Sequence, residues 1–78
     1  MVHRKSYPAG DNCEITLTNE RLADGWAVVV SLKHHTPGAE RVVDLPVPSE
    51  RFGTEEEAEA FGLRMAREYL ERNTPRAA

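Results

Sequence analysis

The chain has one cysteine, Cys13, in 78 residues, so no intramolecular disulfide can brace it. That fits a reducing compartment, and the expected location is the cytoplasm. No apolar run approaches the ~18 residues of a membrane-spanning helix. The first twelve residues, MVHRKSYPAGDN, hold no apolar stretch of the kind a secretory signal needs. Aromatic residues make up only 6% of the chain, too few to line a stacking platform for single-stranded nucleic acid. A basic excess is missing too. The net charge is −3, which disfavours a polyanionic partner.

What is present is strand and helix patterning at the scale of one domain. Residues 13–22, CEITLTNERL, alternate, with Cys13, Ile15 and Leu17 on one face and Glu14, Thr16, Thr18 and Glu20 on the other. Asp24-Gly25 then reads as a two-residue hairpin turn. The valine-rich stretch 26–34, WAVVVSLKH, reads as a central strand. Pro37-Gly38 supplies a type II turn, with proline presetting φ and glycine permitting positive φ. Residues 40–47, ERVVDLPV, make a third strand.

Register follows from the turns. With Asp24-Gly25 as the loop, Leu17 faces Leu32 and Asn19 faces Val30. With residues 36–39 as the second loop, Val43 faces Leu32, Leu45 faces Val30 and Val47 faces Val28. Both hairpins then collect their apolar residues on one face. The opposite face carries Glu14, Thr16, Thr18, Val29, Ser31, Lys33, Val42 and Asp44, and is expected to stay open. Pro46 cannot donate to a ladder and belongs on an edge strand. The strand at 13–22 would form the other edge, free of proline.

The helix spans about 55–73. Thr54 is its N-cap, with Glu57 three residues on. Glu55, Glu56 and Glu57 stand at the positive end of the dipole. Ala58, Phe61, Gly62, Met65, Ala66 and Tyr69 form an apolar stripe. Gly62 costs the helix about 1 kcal/mol relative to alanine, so its place in the stripe predicts close approach to the sheet.

The predicted fold is α+β: a three-stranded antiparallel meander (about 13–22, 26–34 and 40–47) packed on one C-terminal helix in two layers, β-β-β-α. Residues 1–12 are expected to be a flexible arm tacked down by Tyr7, and residues 74–78 a frayed tail.

The chemistry-bearing residues have structural readings. His34 and His35 are adjacent in a strand and point to opposite faces, so they cannot grip one metal. Cys13 with one histidine falls short of a structural zinc site. The Glu55–Glu57 run suits a helix start better than a catalytic carboxylate pair. No catalytic residue, metal ligand or cofactor is expected, and the chain is not expected to be an enzyme.

At Trp26 and Phe52-Gly53-Thr54-Glu55-Glu56-Glu57-Ala58 the chain resembles a group of small uncharacterised bacterial domains. In those, a tryptophan-bearing β-hairpin precedes a helix opening F-x-T-x-E-E-A. The resemblance covers roughly residues 13–73. It implies a sheet-plus-helix fold in a bacterium and carries over no catalytic residue.

Three functions follow in order. The first is a non-enzymatic protein-interaction module, homodimeric through the exposed edge of strand 13–22 or through the open face. There Val29 and Val42 are expected to be neighbours in a small apolar patch. The second is a nucleic-acid accessory protein using that face with Arg4 and Lys5. The third is a small ligand-binding protein or enzyme, which a domain this thin rarely has room to be.

Overall fold

A computed structural model describes residues 1–73, so the tail expected at 74–78 lies outside the described residues. Four strands precede one helix: β1 (Val2–Pro8), β2 (Cys13–Leu22), β3 (Gly25–Thr36), β4 (Ala39–Asp44) and α1 (Glu55–Asn73). The strands form a single antiparallel sheet in the order β1-β2-β3-β4.

The three-stranded expectation is therefore corrected. The expected flexible arm is β1, paired with β2 along its length from Val2↔Glu20 to Pro8↔Glu14. Gly10, with φ of 94°, turns the chain between them, and the Ala9 amide donates to the Cys13 carbonyl at 2.9 Å. β1 escapes an apolar-period reading because its inward residues are His3, Lys5 and Tyr7. His3 and Lys5 meet carboxylates on the helix, and only Tyr7 packs against the hydrophobic core.

The edge assignment changes with it. The strand at 13–22 is interior, covered on both sides by β1 and β3, and offers no edge for another chain. The edges are β1 and β4.

The first hairpin is displaced by one residue from its expected turn. Leu22 pairs with Gly25, so the loop is Ala23-Asp24, and Leu17 faces Val30 while Asn19 faces Val28. Each β2 residue meets a β3 partner two positions from the expected one. A shift of two preserves every side chain's face, so the residues of β2 and β3 stay on their predicted faces. Gly25 takes the positive φ, 133°, just after the turn. A Cβ there would lie 2.8 Å from the Phe52 carbonyl oxygen. That close approach is used: Trp26 and Phe52 exchange backbone hydrogen bonds of 2.8 and 3.0 Å, and Arg51 Nε donates to Asp24 at 3.3 Å. Together these bring the chain back to the start of the helix.

The second hairpin has the expected register, Leu32↔Val43, with Gly38 at φ of 81°. Pairing continues inward to Thr36↔Ala39, so the loop is shorter than the four residues expected. β4 ends at Asp44. Leu45 still donates to Val30 at 3.0 Å and is buried, but after Pro46 the chain leaves the ladder and Val47 is 58% exposed. Val47 does not belong to the core face.

Helix α1 lies across β2 and β3. The Glu57 amide donates to Thr54 Oγ1 at 3.2 Å, the expected cap. Ala58 and Ala66 are fully buried with Gly62 between them, over Ile15, Leu17, Val28, Val30, Leu32 and Leu45. The small residues let the helix sit close. A Cβ on Gly62 would lie 2.9 Å from a Val28 methyl and 3.1 Å from a Leu17 methyl. Phe61, Met65 and Tyr69 pack at the margin of this contact, with Phe61 against Phe52 at 5.1 Å between ring centroids.

Candidate functional site

The helix covers one face of the sheet and leaves the other to solvent. Strand alternation and register place Val2, Arg4, Ser6 and Pro8 of β1 on the open face. Glu14, Thr16, Thr18 and Glu20 follow from β2, Ala27, Val29, Ser31, Lys33 and His35 from β3, and Glu40, Val42 and Asp44 from β4. All eight predicted surface residues (Glu14, Thr16, Thr18, Val29, Ser31, Lys33, Val42, Asp44) therefore share one face.

Rows across the strands show its anatomy. One row reads Arg4, Thr18, Val29. The next reads Ser6, Thr16, Ser31, Asp44, and the one beyond reads Pro8, Glu14, Lys33, Val42. The centre is thus uncharged and small: Ser6, Thr16, Thr18, Val29 and Ser31. Around it stand Arg4, Glu14, Glu20, Lys33 and Asp44. Val29 and Val42 are not neighbours, because the Ser31 row separates theirs. They are 39% and 56% exposed and act as separate apolar points.

Both edges are blunted. Ala9 and Arg21 donate to Cys13 and Met1 respectively, so the odd residues of β1 bond to β2. The outward backbone of β1 then belongs to Val2, Arg4, Ser6 and Pro8, which include a charge and a residue without an N–H. On β4 the Leu45–Val30 bond sets the same alternation, and Glu40, Val42 and Asp44 face outward. Charges and prolines are the usual defences of an edge.

The helix side holds the polar chemistry. His3 Nδ1 donates to Glu55 Oε2 at 2.8 Å, since a carboxylate can only accept, and Asn19 Nδ2 donates to the same oxygen at 3.3 Å. Hydrogen bonding from His3, and then from Asn19, holds the Glu55 carboxyl below its ordinary range. One turn along, Lys5 Nζ lies 2.9 Å from Glu59 Oε1, which keeps the Lys5 ammonium protonated to higher pH. Burial raises the Tyr7 hydroxyl, with Glu59 adding to it. Strand residues 3, 5 and 7 thus meet helix residues one turn apart, a polar seam fastening β1 to α1. Reading Glu55 as dipole chemistry alone missed this. The available signal was the alternation of His3, Lys5 and Tyr7, matched by Glu55 and Glu59 at i, i+4. Asn19 is fully buried, and its Oδ1 has no hydrogen-bond partner among the described residues.

Two arrangements resemble reactive sites. Cys13 lies directly opposite His34 across the β2–β3 ladder. Burial pushes its thiol above the ordinary value, the opposite of what an activated nucleophile needs. The His3–Glu55 pair has a carboxylate behind a histidine, but the ring faces Trp26 at 6.0 Å and no nucleophile adjoins it among the described contacts. Near the C-terminal half of α1, an open groove of about 520 Å³ is lined by Tyr7, Ala9, Ile15, Leu63 and Leu70 together with Arg67 and Glu71. Its size exceeds what so thin a domain was expected to hold. Among the described residues, no group of three or more His, Cys, Asp or Glu side chains is placed to hold a metal ion.

Comparison with protein-family models, curated proteins and solved structures finds no match to this chain. No helix among the described residues is long and apolar enough to cross a membrane.

Proposed function

We propose that the chain is a non-enzymatic protein-interaction module, working in the cytoplasm through the open face of its sheet. One observation carries this reading: a patch of small uncharged side chains, Ser6, Thr16, Thr18, Val29 and Ser31, surrounded by charges, on the only sheet face the helix leaves bare. A centre depleted of charge inside a charged rim is one feature of a protein–protein contact. Threonine, serine and valine lose little side-chain entropy when covered, which lowers the cost of binding.

Nucleic-acid binding is the weaker reading. It relied on Arg4 and Lys5 acting together, but they point to opposite faces, and Lys5 is engaged by Glu59. Arg4 and Lys33 on the open face are outnumbered by Glu14, Glu20, Glu40 and Asp44. Phosphate contact there meets net repulsion.

A photo-crosslinking side chain tests the reading directly. Placed at Val29 in producing cells, it is expected to give a discrete protein adduct. Placed at Arg64, on the exposed side of α1, it is expected to give none. Adducts from Arg64 alone, or a nuclease-sensitive adduct at Val29, would count against it.

A further inference from the structure

We infer that the partner of the open face is a second copy of this chain, stacked face to face about a two-fold axis that runs along the seam between β2 and β3. This rests on the interaction-module reading above and specifies its partner. An isologous contact must be self-complementary, and the register shows that this face is so about one axis and not about the other.

Consider the axis parallel to the strands. It lays β1 of one copy over β4 of the other, and β2 over β3. Thr16 then meets Ser31 of the second copy, and Thr18 meets Val29. Glu14 meets Lys33 of the second copy; within each copy Glu14 stands opposite Lys33 in the ladder, and Lys33 Nζ lies 3.9 Å from Glu40. The four side chains form a square of alternating charge. Arg4 at one margin reaches the opposing Asp44, one row away, and the two-fold repeats that pair at the other margin. Now consider the axis across the strands. It stacks Glu20 over Glu14 of the second copy, twice, and leaves Lys33 over Ala27. Like charges there oppose binding.

The area indicates the class of contact. Four strands about 4.8 Å apart, over three or four rows of about 6.8 Å, make a patch of roughly 400 Å² per copy. About 800 Å² in total lies below the standard range for stable complexes and belongs to weak, reversible ones. A dissociation constant on the order of 10–100 μM is expected.

The experiment is sedimentation equilibrium on the pure full chain from about 10 μM to 1 mM, with charge-swapped variants confirmed as folded by circular dichroism. Wild type should show a monomer–dimer equilibrium. Arg4→Asp and Asp44→Arg should each weaken it by roughly tenfold, because each replaces two symmetric attractions by repulsions. The double variant should recover wild-type affinity within about twofold. Arg4 and Asp44 lie on opposite edges of one sheet, about 14 Å apart across three strand spacings, so such recovery must come from contact between copies. Val29→Asp, at an exposed position in the centre of the face, provides a second variant if Arg4→Asp disturbs folding and should abolish the dimer. Monomer at every concentration would overturn the self-partner. The Val29 crosslink then separates the two claims: an adduct with a different protein keeps the module reading, and no adduct removes both. A dimer insensitive to all swaps would place the contact elsewhere. A dimer weakened by the single changes but not restored by the double would overturn the axis.

Discussion

Replacing Gly62 by leucine is expected to destabilise the protein by at least about 3 kcal/mol, roughly a quarter or more of the total stability of a domain this size. Over-packing a tight core costs about 1–3 kcal/mol, occasionally more. Here even the first added carbon would lie 2.9 Å from Val28, 3.1 Å from Leu17 and 3.3 Å from Val30. Leucine adds three further carbons to a contact with no space for one. Its better helix propensity returns only about 1 kcal/mol. A domain of this size has a total stability of about 4–12 kcal/mol. Urea unfolding followed by circular dichroism should show the midpoint collapse. An unchanged midpoint would mean that α1 does not sit on β2 and β3 through Gly62.

The second large effect is at Leu32, which is fully buried beneath the helix. Leu32→Ala should cost about 2–5 kcal/mol, the removed transfer energy plus the cavity left behind. Phe61→Ala should cost less than Leu32→Ala. Phe61 is the larger side chain, but it lies at the margin of the interface against Phe52, only partly buried. Parallel urea titrations of the two variants check the order, and the reverse order would place the core on the wrong side of the stripe.

These two positions also show what could be read in advance. Gly62 stands out in a sequence because it interrupts an apolar helical stripe at a cost that only close packing offsets. Leu32 is found by alternation. The same alternation assigned every open-face residue correctly even though the first turn lies one residue earlier than expected. That tolerance has a physical source: moving a two-residue loop by one position shifts pairing by two, and a shift of two does not exchange faces. The expected loop at Asp24-Gly25 failed because Gly25 is needed elsewhere. It leaves room for the Phe52 carbonyl, a contact 27 residues away in sequence that no local pattern encodes.

β1 was illegible for a different reason. Hydrophobic periodicity detects strands that bury apolar side chains, and β1 presents His3 and Lys5 inward. Its partners are Glu55, which has a sufficient local explanation at the helix start, and Glu59, which no local pattern singles out. The consequence for function is direct. With β1 absent, strand 13–22 would have been an edge open to another chain. With β1 present, that route is closed, both true edges carry charge, β1 also ends in a proline, and the face is what remains.

That conclusion is tested most directly by amide chemical shifts recorded while the pure protein is diluted from about 1 mM to 20 μM. Concentration-dependent shifts are expected at Thr16, Thr18, Val29 and Ser31, with the outer side of α1 unchanged. Shifts confined to the outward residues of β1 or β4, or to Leu63 and Leu70 at the groove, would contradict it.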